Sequence, residues 1–304
     1  MTGTIIRRWF PDNIGKITGI VLASNGLGGA LAAQIITPLI FDEKNPLGYR
    51  TAYLISAAIV TVVAILLLIL IRDNKEASQH TLSAKKAQKK NASIWFGIEF
   101  KELKKKTYFY TTILCVFFTG LILQTITTLR SVYLKDSGFN AGFIGTIASL
   151  SSLLLSAGKF TVGFLYDKWG LRNTLLVCQF SAAAGILLLL FAGTSPVGAG
   201  LTYGSIILLA IATPMQTIAI PLICSDLFGT VSYEKLLGIL VAANTAGYAL
   251  GSPIANLIFD TLGTYIPIFW AFSGIILGVA GLYGYNIRAA YNQKKRILQM
   301  QTEN

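Results

Sequence analysis

Eight apolar runs divide this chain, each near the ~20 residues that cross a bilayer as a helix. They cover residues 17–41, 51–71, 108–134, 142–166, 174–192, 201–223, 236–259 and 265–285, each bounded by charge or by a Gly, Pro or Asn turn. Composition agrees: of 304 residues, 54% are hydrophobic and only 12% charged, where an ordinary soluble domain is about 25% charged. The expected fold class is an all-α polytopic membrane protein with about eight transmembrane helices.

A net charge of +12 could indicate nucleic acid, so its placement decides. Ten of the 25 Lys and Arg residues fall between Arg72 and Lys106, and Arg288, Lys294, Lys295 and Arg296 lie in the tail. With Arg7, Arg8, Lys16, Lys168, Arg172 and Lys235, one side of the membrane carries 20, against three (Lys44, Arg50, Lys135) on the other. That asymmetry places both ends of the chain in the cytoplasm by the positive-inside rule. The basic charge then reports topology and attraction to anionic lipid headgroups, and no nucleic-acid partner is expected.

Enzyme chemistry and cofactors are not expected either. Cys115, Cys178 and Cys224 sit singly in three different runs and the sole histidine, His80, lies in a polar loop, so neither a disulfide framework nor a metal site is indicated. HExxH, GxSxG and P-loop patterns are missing, and all thirteen acidic residues lie in loops or at helix ends.

The sequence repeats itself. Residues 16–42, "KITGIVLASNGLGGAL…PLIFD", and residues 235–260, "KLLGILVAANTAGYALGSPIANLIFD", share Lys, Gly, Ile, Asn, Gly and the closing Leu-Ile-Phe-Asp in step. Six spans separate the copies, counting the first copy itself, which is the period of a protein built from two six-helix halves. Residues 1–71 then read as the fifth and sixth helices of the first half, 72–107 as a basic linker with an interfacial helix, 108–287 as a six-helix second half, and 288–304 as a tail. On that numbering the chain is expected to lack helices one to four.

One charged turn carries a family signature. "GFLYDKWGLR", residues 163–172, resembles the motif Gly-x-Leu-x-Asp-Lys/Arg-x-Gly-x-Arg of the major facilitator superfamily, carried between helices two and three and again between eight and nine. Here it falls between the eighth and ninth, the register the repeat requires. "RWFPDNIGKITGI", "PLICSDLFG" and "GSPIANLIFDTLGTY" are further similar to the branch of oxalate/formate antiporters and monocarboxylate carriers. The resemblance implies a secondary transporter working by alternating access, with this turn as a conformational latch of Gly163, Asp167, Lys168, Gly170 and Arg172. Gly163 is expected to let its helix approach a neighbour, and Gly170 to supply a φ > 0 turn. Asp167 would face the positive end of the eleventh helix.

Polar residues inside the apolar runs are costly and mark candidate substrate contacts. Ser149, Ser152, Ser156 and Lys159 step along one helical face. Lys159 either snorkels to the headgroups or faces a central cavity. Relatives that carry organic anions often have Arg at this position, so the resemblance implies a small anionic substrate. Arg130, near the end of its run, either adds a second charge or snorkels. Gln124 and Thr128 share a face, as do Thr213, Gln216 and Thr217 beside a kink expected at Pro214, and Asn244, Tyr248 and Ser252. Asn25 is the repeat partner of Asn244. Each could instead be an interhelical hydrogen bond. A full-length carrier of this kind is expected to be a monomer in the plasma membrane.

Overall fold

Turn residues cut the chain where charge and glycine interrupt its apolar runs. A computed structural model describes residues 14–41, 47–70, 97–229 and 231–302. Nine α-helices are described, and no strand is among the described residues: α1 Ile14–Ile40, α2 Gly48–Leu70, α3 Phe100–Leu103, α4 Thr107–Asp136, α5 Ala141–Leu189, α6 Pro196–Ala212, α7 Ala219–Phe228, α8 Tyr233–Leu262 and α9 Ile266–Thr302. The protein is an all-α polytopic membrane protein.

Six of these stretches are long and apolar enough to cross a membrane, against eight runs in the sequence. The difference has two sources. α5, at 49 residues, bends at Gly170, where φ is 72° and ψ 174°, and so contains two of the expected runs end to end. α1 spans 27 residues, and its continuously described stretch, Gly28–Ile40, is apolar but too short to be counted among the six.

The helix ends follow local chemistry. Ser195 caps α6 by accepting from Gly198 N at 3.1 Å, with Pro196 at the first helical position, where its missing N–H costs nothing. Asn140 Oδ1 accepts from Phe143 N at 2.8 Å as α5 begins. Gly263, left-handed at φ 69°, closes α8. Between α6 and α7 the chain tightens into a 3-10 turn, Thr213–Gln216, at the expected Pro214.

The chain divides into two compact units, Met1–Ser93 with Asn140–Leu153, and Ile94–Phe139 with Leu154–Asn304. In the first, α1 packs on the start of α5. Ser149 Oγ donates to Ala30 O at 2.9 Å, and a side chain on Gly29 would press against Ser152 Oγ at 3.1 Å. α2 leaves most of its apolar side chains exposed, as a lipid-facing helix does.

In the second unit, α4 is central, with α8 and α9 packed along it. Gly247 and Gly251 of α8 lie against the backbone of Phe117 and Leu121, so tightly that a Cβ on either would overlap α4. α9 meets α4 through Tyr133 and Phe269, ring centroids 4.8 Å apart, and through Asn286, which accepts from Thr111 Oγ1 at 2.5 Å. The stretch expected as an interfacial helix differs in its described part. Only one turn, α3, is helical, because Gly97 pairs with Gly229 and Ile98 N donates to Phe228 O at 3.1 Å. Ile98 and Leu103 are buried in the bundle core, so the segment is docked rather than free.

Candidate functional site

The helix break at Thr213–Gln216 interrupts the backbone ladder and aims Gln216 at α8. Tyr248 donates from its hydroxyl to Gln216 Oε1 at 3.0 Å, and Asn244 Nδ2 reaches Gln216 O at 3.5 Å. Gln216 and Asn244 are only 8% and 4% exposed, and two of their polar atoms, Gln216 Nε2 and Asn244 Oδ1, are buried with no hydrogen-bond partner. An unmet donor and an unmet acceptor in a low-dielectric interior each cost about 1–3 kcal/mol. They are therefore the groups a polar solute would satisfy.

Glycine lets this cluster form. A side chain on Gly120 of α4 would collide with Asn244, both its backbone carbonyl and its amide, so Asn244 can enter only because Gly120 has none. Gln124 and Thr128 follow Gly120 at one-turn steps; Gln124 is half-buried, while Thr128 is exposed and donates to Gln124 O at 3.0 Å.

Lys159 lies on α5 next to a residue that packs on α6. Its neighbour Gly158 abuts the Ala210 carbonyl of α6, and a Cβ there would also lie 3.5 Å from Pro214 Cγ. Lys159 is half-buried and makes no hydrogen bond or ion pair among the described residues. Ser156, one turn earlier, is buried. Ser152 belongs to the first unit, where its hydroxyl donates to Ala148 O at 3.1 Å. Asn25 lies in α1, but its side chain falls outside the described residues.

Arg130 stands apart. It is 9% exposed, and its Nε is buried without a partner among the described residues. Along α4 it lies ten residues, roughly 15 Å, beyond the glycine that receives Asn244, and roughly half a turn round from Leu121, whose backbone meets α8. The structure does not bring it together with Gln216 and Asn244.

The charged turn differs from expectation in two details. A Cβ on Gly163 meets nothing within 4 Å, so the close approach is made by Gly158 instead. Asp167, Lys168 and Arg172 are exposed and form no ion pair among the described residues; Lys168 Nζ lies 6.0 Å from the Phe164 ring centroid. The tether at this end joins a variable position of the motif to a residue outside it: Tyr166 donates to Asp226 Oδ1 of α7 at 2.9 Å. Gly170 does adopt the left-handed conformation required of it.

Broken, glycine-packed helices around a buried polar cluster make this a polytopic membrane protein. The family model of the Major Facilitator Superfamily matches residues 1–199 and again 131–298. The chain belongs to that superfamily, a family of membrane transporters. It is also similar to the "Uncharacterized 38 kDa protein in 23S RNA operon" of Thermoproteus tenax, 27% identical over 276 residues. That alignment covers 90% of this chain and 63% of the relative's length.

Proposed function

We propose that this protein is a secondary transporter of a small organic anion, a carboxylate, moving its solute by alternating access. The observation that carries the reading is Lys159: an ammonium set half-buried inside an apolar helix, without an ion-pair partner among the described residues, next in the chain to Gly158, which packs on α6 just before the Thr213–Gln216 break. An unneutralised cation in such surroundings is costly, and an anionic solute would offset that cost on binding. Gln216 Nε2 is a further donor to the carboxylate. The resemblance to oxalate/formate antiporters and monocarboxylate carriers supports the same substrate class. Asp167 with Arg172 acts as a cytoplasmic latch, with Gly163, Lys168 and Gly170 in the same turn, and the carrier works as a monomer in the plasma membrane in contact with anionic lipids.

A neutral solute is the second reading, favoured by Asn244 Oδ1, which accepts and so suits a hydroxyl or an amide better than a carboxylate oxygen. Uptake of labelled carboxylates, sugars and amides into proteoliposomes separates the two. Anion uptake that Lys159→Gln abolishes supports the first reading, and anion uptake unchanged by Lys159→Gln overturns it. Uptake confined to neutral solutes establishes the second.

A further inference from the structure

Arg130 is a buried cation that the proposed transport site does not use. Among the described residues it has no acidic partner and no hydrogen bond, and its Nε is sealed from solvent. Ser273 of α9 is similarly placed: it is 3% exposed, and its hydroxyl oxygen has no partner. Two orphaned polar groups on facing helices call for a common explanation.

Helix register brings them to one level. α4 and α9 run antiparallel, held in phase by Tyr133 with Phe269 at one end and by Cys115 with Asn286, Nδ2 to Sγ 3.9 Å, at the other. Arg130 lies three residues in from Tyr133, and Ser273 four in from Phe269, depths of roughly 4.5 and 6 Å at the helical rise. The steps rotate the two side chains by roughly 60° and 40° from that contact, toward the same side of the α4–α9 line. Their chain neighbours Leu129 and Phe272, and Leu134 one turn beyond Arg130, are buried and apolar. A guanidinium in such surroundings is expensive unless paired, and one monovalent anion neutralises its single charge.

We infer that Arg130 and Ser273 form a binding site for a small monovalent inorganic anion of halide size, separate from the transport site. The anion accepts from the guanidinium, Nε included, and from the Ser273 hydroxyl, so that both orphaned groups are satisfied at once. Its binding stabilises the α4–α9 pair and leaves Lys159 and Gln216 free for substrate.

The test is thermal unfolding of the purified full chain at constant ionic strength, with sodium chloride replacing sodium gluconate. Chloride should raise the unfolding temperature of the wild-type protein saturably, by about 3–5 °C. Arg130→Gln should abolish the rise and Arg130→Lys should weaken it. Ser273→Ala should shift the response to higher chloride, and Lys159→Gln should leave it intact, so that failure of the transport reading does not decide this one. If Arg130→Gln does not fold, the Lys and Ser273→Ala variants still decide. An unfolding temperature indifferent to chloride, an equal rise in all the variants, or a rise produced by inorganic phosphate but not by chloride would overturn the inference.

Discussion

Gly247 of α8 rests directly on the Phe117 carbonyl of α4, and a methyl group in its place would overlap that backbone. Backbone cannot rotate away as a side chain can, so the helices must separate. Overpacking typically costs about 1–3 kcal/mol. Gly247→Ala should therefore lower stability by at least that amount in a denaturation series. Gly278→Ala on α9 is the control, because a Cβ there meets nothing within 4 Å; it should be neutral or stabilising by up to about 1 kcal/mol through helix propensity. Equal effects would mean that α8 and α4 do not cross at Gly247.

The charged turn separates its two glycines by role. Gly170 holds φ at 72°, a conformation that costs an L-residue about 1–2 kcal/mol. Gly163 is an ordinary helical residue with open space beside it. Gly170→Ala should lower the unfolding free energy by about that amount, while Gly163→Ala stays within about 0.5 kcal/mol of wild type. A destabilising Gly163→Ala would restore the close approach that the sequence motif suggests.

These contrasts mark what sequence could carry. The apolar runs, the bend at Gly170 and the break at Pro214 depend on neighbouring residues alone, so they were legible. Gln216 and Asn244 were legible as candidates, because a polar residue inside an apolar run is conspicuous; that Tyr248 would bind Gln216 was not, since it depends on how two helices cross. The same limit explains Gly163 and Gly158. Both are small residues on one helix, and only the register against α6 decides which one touches it. The depth of Arg130 along its helix was readable, while the cover that leaves it 9% exposed was not, since that depends on how the helices pack. The Gly97–Gly229 pairing joins positions far apart in the chain and has no local signature.

Docking of the linker's end gives a third prediction. Phe100 sits edge-on to Phe109, with centroids 6.1 Å apart, and lies between two ammonium groups, Lys235 Nζ at 4.1 Å and Lys104 Nζ at 4.9 Å from its centroid. Its amide also donates to Ser232 Oγ at 3.2 Å. Truncating a half-buried phenylalanine should cost about 2 kcal/mol and free the segment from the bundle. Phe100→Ala should therefore raise the rate of tryptic cleavage at Lys101, Lys104, Lys105 and Lys106 by roughly 30-fold. An unchanged rate would show that the backbone pairing with Gly229 and Phe228 holds the segment by itself.

Two adjacent residues at the Gly170 bend should behave oppositely. Tyr166 is bonded to Asp226 across α5 and α7 at 2.9 Å, whereas Asp167 is exposed and unpaired among the described residues. A bond to a carboxylate is strong when buried, but this one is exposed, and solvent reduces its contribution to about 1 kcal/mol or less. Tyr166→Phe should lower stability by that small amount. It should leave transport intact, since both partners belong to the same unit and need not separate during the cycle. Asp167→Asn has no partner to lose and should unfold within about 0.5 kcal/mol of wild type. If Asp167 is a latch that forms in another conformation, the same variant should change the transport rate tenfold or more, equivalent to about 1.4 kcal/mol between access states. Paired measurements of unfolding and uptake distinguish the two roles: stability loss without a rate change marks a strut, and a rate change without stability loss marks a latch. Asp167→Asn neutral in both would leave the turn with no role beyond fixing topology.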